Sequence, residues 1–208
     1  MCGSYYLAQE EGDGELAATL RQASERAARH GLRMLERGEM FPGQVVPVVA
    51  TGAARREKGA FPMQWGFMHP VHGVRVYNTR IENAEEQKAF CTSLYDRRCL
   101  IPASGWFEWV RTDGGKERIR FFREDGRPVY LGGLYIRGGR EPLPCFSVLT
   151  REASDPIRFL HKRMPVLIPG TEADRWLDPS VPFREALPEG VPAIGFRAAD
   201  TEKEERIM

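Results

Sequence analysis

Hydrophobic and polar positions follow a helical period in the first half of the chain and a strand period from residue 98 onward. Leu16, Leu20, Ala23 and Ala27 recur at helical spacing with Arg21, Glu25, Arg26 and Arg29 between them. This predicts a surface helix that starts near Asp13 or Gly14 and ends near His30 and Gly31. Residues 83–95 predict a second helix that packs Ala84, Ala89, Phe90 and Leu94. Between the two, residues 44–49, interrupted by Pro47, and residues 74–77 read as short strands, and residues 51–59 as a charged loop with Arg55, Arg56 and Lys58. Residues 99–101, 105–110, 119–122, 129–136 and 144–150 then read as strands, separated by turns such as Asp113-Gly114-Gly115 and Asp125-Gly126. Asp155-Pro156 predicts the start of a short helix through Leu160, residues 164–168 an apolar strand, and Thr171 the cap of a helix through Leu177.

No repeat, linker or low-complexity stretch divides this pattern. Residues 1–208 are therefore expected to form one α+β domain with a dominant, mostly antiparallel, barrel-like β core and peripheral helices. The 208 residues, 42% of them hydrophobic, suffice for a sizeable core. No apolar run reaches the roughly 20 residues that cross a bilayer, and the first residues lack a signal-peptide pattern, so no membrane partner and a cytoplasmic location are expected. The cysteines, Cys2, Cys91, Cys99 and Cys145, form no CxxC pair, so neither a metal centre nor a disulfide framework is expected, and no cofactor. A net charge of +1 gives no bulk attraction to nucleic acid; DNA binding would need a local basic surface.

Four positions stand out chemically. If methionine aminopeptidase removes Met1, Cys2 becomes a free 1,2-aminothiol, whose amine (reference pKa about 8) and thiol (about 8.5) are both partly nucleophilic near neutral pH. The amine condenses with aldehydes and the thiol then closes a thiazolidine; equally, a small residue at a chain end can be inert. Glu108 lies in Ser104-Gly105-Trp106-Phe107-Glu108-Trp109, where strand alternation places it on one face with Trp106. Burial there would raise its pKa toward a range useful for proton transfer, and an edge-strand ion pair is the competing reading. His161, in His161-Lys162-Arg163-Met164-Pro165, is either a proton shuttle or part of a solvated basic turn. Asn78, in Tyr77-Asn78-Thr79-Arg80, either aims its amide at a substrate or forms a turn.

Together these segments resemble the SRAP family, the SOS-response-associated peptidase proteins that shield abasic sites. Met1-Cys2-Gly3 is similar to the family's start, Asn78-Thr79-Arg80 to its Asn-Ala-Arg segment, and Arg98-Cys99-Leu100-Ile101-Pro102-Ala103 with Gly105-Trp106-Phe107-Glu108-Trp109 to its central motif. His161-Lys162-Arg163-Met164-Pro165 is similar to its His-x-Arg-Met-Pro, and Trp65-Gly66 and the loop of Pro42 and Pro47 also have counterparts. Ser4 departs from the usual Arg.

The resemblance implies capture of abasic sites in single-stranded DNA, and the chain is expected to act as a monomer, associated with the nucleoid when bound. Cys2 would be the crosslinking nucleophile, Asn78 would orient the amine and sugar, Glu108 would transfer protons, and His161 would act at sugar ring opening. It further implies DNA contacts from Arg80, Arg98, Thr150, Arg151, Arg163 and Pro42, with Trp65, Phe67 and Trp106 available to stack on bases. Peptidase activity would amount to clearing Met1. Two other readings stay open: an N-terminal-nucleophile amidohydrolase, and a non-catalytic reader of modified DNA.

Overall fold

The computed structural model describes residues 2–8, 14–52, 58–69, 72–86, 88–138, 142–155 and 157–199. Helix α1 (Gly14–Arg29) buries Leu16, Leu20, Ala23 and Ala27, the stripe that its period predicts. Asp13, Arg55, Arg56 and Pro156, on which parts of the sequence reading fell, lie outside the described residues. The single helix expected over residues 83–95 is two, α2 (Ile81–Ala84) and α3 (Lys88–Asp96). The break lets each meet its own surface. α2 follows directly from a strand and packs beside it, whereas Phe90 and Leu94 of α3 enter a cluster with Leu100 and Leu134.

The strands in chain order are β1 (Ser4–Leu7), β2 (Gly38–Met40), β3 (Val45–Thr51), β4 (Lys58–Trp65), β5 (Phe67–Met68), β6 (Arg75–Val76), β7 (Asn78–Arg80), β8 (Arg98–Ala103), β9 (Gly105–Thr112), β10 (Gly115–Arg123), β11 (Val129–Ile136), β12 (Cys145–Glu152), β13 (Arg163–Pro165), β14 (Leu167–Ile168) and β15 (Ile194–Ala198). One sheet runs β15-β10-β9-β1-β2, a larger one β13-β12-β4-β3-β8-β11-β14, and β5 pairs with β6. A further pairing of β11 with β12 closes five strands of the larger sheet into a ring. The sheet is mixed rather than antiparallel throughout, because β12 runs parallel to both β4 and β7. Every other pairing among the described residues is antiparallel. Pro47, an unwelcome residue in a strand, faces Pro62 across β3 and β4, so one rung takes both residues that lack an N–H.

The apolar stretch 164–168 is not one strand. Its first part, β13, pairs with β12 and its second, β14, with β11; Val166 between them donates to Leu149 O and accepts from Gly132 N. Met164, Val166, Leu167 and Ile168 are all buried, which is why the stretch reads as continuously apolar. Before it, the expected short helix through Leu160 is a single 3-10 turn at Ile157–Phe159. A second turn at 170–172 leads into α4 (Ala173–Leu177), which has no side-chain cap, so the expected Thr171 cap does not form. The last helix is α5 (Phe183–Ala186). Among the described residues no helix is long and apolar enough to cross a membrane.

Candidate active site

The site forms where the two main sheets meet. On the smaller sheet, β1 and β9 pair with Ser4 opposite Phe107 and Tyr5 opposite Trp106. Alternation puts Trp106 and Glu108 on the buried face, while Trp109 on the other face is 60% exposed. Gly105 opens this segment because nothing larger fits: a Cβ there would stand 2.3 Å from the Phe121 carbonyl oxygen of β10. The pairing carries the chain's start along β9 until Cys2, itself buried, is in electrostatic contact with Glu108.

On the larger sheet, β12 is flanked by β7 and β13. Val148 is level with Asn78 and Thr150 with Arg80 on one side; Thr150 is opposite Pro165 and Glu152 opposite Arg163 on the other. Asn78 and the His161–Arg163 segment therefore face the first sheet from either side of one strand. Two links cross the gap. Asn78 Nδ2 donates to Cys2 O at 3.0 Å, and His161 Nε2 lies 3.6 Å from Glu108 Oε2. His161 Nδ1 is 2.7 Å from Arg163 O. The Arg163 N–H also points at Nδ1, at 3.3 Å, so this nitrogen is held by the Arg163 backbone in either tautomer, and Nε2 is the one turned toward Glu108.

Burial sets the charges. It pushes the Glu108 carboxyl above its ordinary value, while the amino-terminal charge and His161 pull the other way. Burial, reinforced by Glu108, also holds the Cys2 thiol well above the usual range. The expectation of a partly ionised thiol is thus corrected: the resting site holds a neutral thiol. Asn78 Oδ1 is buried without a hydrogen bond.

The sequence matches the family profile described as SOS response associated peptidase (SRAP) over residues 1–194. The chain belongs to the SRAP family. It is similar to abasic site processing protein YMR114C of Saccharomyces cerevisiae, 37% identical over 108 residues that cover 50% of this chain and 29% of that protein. Abasic site processing protein YoaM of Bacillus subtilis is 27% identical over 66% of this chain and 64% of its own length. Abasic site processing protein YedK of Escherichia coli is 24% identical over 89% of this chain and 83% of its own. The chain thus spans under two thirds of the first two relatives. A phage-related protein of Bordetella bronchiseptica, known from its crystal structure, shares the fold with a TM-score of 0.73 at 21% identity, covering 97% of this chain and 95% of that one.

Within this SRAP fold the sequence-derived site residues divide. Cys2, Asn78, Glu108 and His161 come together. Arg80 is exposed at the end of β7, Arg151 and Pro42 are half-buried, and Arg163 is held by a forked pairing with Glu82 at 2.7 and 3.0 Å and by the Thr150 carbonyl at 2.7 Å. That pairing holds the Glu82 carboxyl below its ordinary value. Thr150 is itself buried and accepts from Arg163, so it braces that arginine rather than offering a surface contact.

Arg98, expected in a DNA groove, is buried instead: its guanidinium donates to the carbonyls of Trp176, Leu94, Asp178 and Val181. The aromatic expectations are corrected for the same reason. Trp65 is enclosed between Tyr5 and Phe146, Phe67 packs on Phe90, and Trp106 stacks on Phe121, all within the core. The aromatic rings that face solvent include Phe159, two residues before His161, in edge contact with Phe196, and Trp109. Trp109 is not among the rings that the sequence offers for stacking, and Tyr5, Glu82 and the Phe159–Phe196 pair carry no signal before the register is known.

Proposed function

We propose that this protein captures abasic sites in single-stranded DNA covalently, through Cys2 once Met1 has been removed. The observation that carries the reading is the convergence of Cys2, Asn78, Glu108 and His161 from two sheets, tied by the Asn78–Cys2 hydrogen bond and the His161–Glu108 approach.

An abasic deoxyribose is mostly a closed hemiacetal, so its ring oxygen must gain a proton before the aldehyde is available. Glu108, whose carboxyl burial pushes above its ordinary value, is the donor, and His161 Nε2 beside it exchanges that proton. The Cys2 amine, for which Asn78 Oδ1 is the waiting acceptor, then attacks C1′ and water leaves, forming an imine. Next the thiol adds across the C=N bond: sulfur bonds to C1′ and its proton passes to nitrogen. The product is a five-membered thiazolidine, with water as the sole by-product. Holding amine, thiol and aldehyde together contributes an effective molarity on the order of 10⁵ M. The imine also acidifies the C2′ hydrogen, so slow β-elimination of the strand is a side reaction that ring closure suppresses.

This order of events suits a thiol that burial keeps neutral, because the amine acts first. An amidohydrolase would make sulfur the first nucleophile and so form the thiolate, which burial and Glu108 disfavour. All four groups come from one chain, so the reaction needs no second copy. Exposed Arg80 and half-buried Arg151 are the cations placed to meet phosphates, and Phe159 with Phe196 the rings placed to meet a neighbouring base.

The test is a denaturing gel of the mature protein with single-stranded oligonucleotides that do or do not contain an abasic site. A retarded band confined to the abasic strand and absent with Cys2→Ala is expected. A band of equal strength with Cys2→Ala overturns the proposal.

A further inference from the structure

Tyr5 shares the buried face of the smaller sheet with Trp106, its partner across β1 and β9, and therefore with Glu108, one alternation further along β9. It is fully buried, its ring 5.3 Å from that of Trp65, and its hydroxyl is in electrostatic contact with Cys2. Yet the hydroxyl has no hydrogen-bond partner. Buried phenols are nearly always satisfied, and phenylalanine would fill the same space without an orphaned polar atom. The N–H of Trp106 opposite and Oδ1 of Asn78, which binds Cys2, are also buried and unpartnered. Two donors and one acceptor are thus left open on Tyr5, its strand partner Trp106 and Asn78. That arrangement suits an oxygen-bearing ligand better than an apolar core.

We propose that the Tyr5 hydroxyl binds the oxygen on the reacting carbon of the aldehyde and donates a hydrogen bond to it while the Cys2 amine adds. The assignment rests on the abasic-site reading above and names the group that receives the charge developed there. In this step the nitrogen lone pair forms the N–C1′ bond, the carbonyl π pair moves onto oxygen, and a proton passes from nitrogen to that oxygen. The C–O bond then breaks, and the hydroxyl leaves as water with the proton that nitrogen releases as C=N forms. Tyr5 keeps its own proton throughout. Burial, with the neighbouring Cys2, raises its phenol well above the ordinary value, so it acts as a donor and not as a base. A fixed donor in a site closed to water stabilises developing negative charge without reorganising.

The experiment compares wild type and Tyr5→Phe for single-turnover adduct formation with saturating abasic single strand, for reaction with glycolaldehyde, for affinity to an undamaged strand, and for melting temperature. Expected are an adduct rate lower by about 10- to 100-fold on both substrates, unchanged affinity, and a melting temperature equal to or above that of wild type. A wild-type rate in Tyr5→Phe overturns the assignment, and so does a rate loss accompanied by a lowered melting temperature. Wild-type protein that forms no adduct overturns the capture reading itself, a result distinguishable from either.

Discussion

The side-chain amide of Asn78, at the start of β7 in the larger sheet, donates at 3.0 Å to the carbonyl oxygen of Cys2, which lies 76 positions away and just ahead of β1 of the smaller sheet. This bond fixes the first residues of the chain against the site. Asn78→Ala is expected to lower stability by about 1 kcal/mol, the worth of one such bond, and to slow adduct formation by about tenfold or more. Thermal melts and a time course with abasic single strand measure the two effects. An unchanged rate would show that the bond anchors the terminus without orienting it for reaction.

Glu108 predicts a conflict between stability and activity. Its folded pKa is raised by burial, so the folded state holds the proton more tightly than the unfolded chain does. Stability is therefore lost as pH rises from the ordinary value of 4.5 through the raised folded value, and no penalty exists below 4.5, where both states are protonated. Glu108→Gln is expected to melt above wild type at neutral pH, with the gap closing toward pH 4, while adduct formation falls at least tenfold. A gap that widens toward acid would contradict the assignment.

Two arginines that look alike in the sequence should behave differently. Arg98→Lys removes the planar fork that holds four carbonyl oxygens and is expected to cost about 3 kcal/mol in stability. Arg80→Ala, at an exposed position, should leave the melting temperature within about a degree. It should instead weaken non-covalent binding to single strands and flatten its dependence on salt. The reverse pattern would return Arg98 to the binding surface.

Local pattern made much of this molecule legible. The stripe of α1, residues 129–136 as a strand, and the Trp106–Glu108 face follow from periodicity, and the structure agrees. Pattern fails where partners are distant. The stretch 164–168 looks like one strand because every residue is buried, and only its two different neighbours divide it. Arg98, Trp65, Phe67 and Trp106 looked available for DNA because their residue types often are; long-range packing encloses them. Tyr5 carried no local mark at all. Its place in the site depends on the β1–β9 register, a relationship between residues about a hundred positions apart.

The most direct measurement is a mass spectrum of the amino-terminal peptide, isolated by protease and nuclease digestion after reaction with an abasic strand and treatment with separate amine- and thiol-labelling reagents. The account predicts a peptide that begins at Cys2, carries the sugar remnant less one water, and takes up neither label, because nitrogen and sulfur share one carbon. A Cys2 thiol or amine that still accepts its label in the stable adduct, or a sugar remnant on another residue, would contradict it.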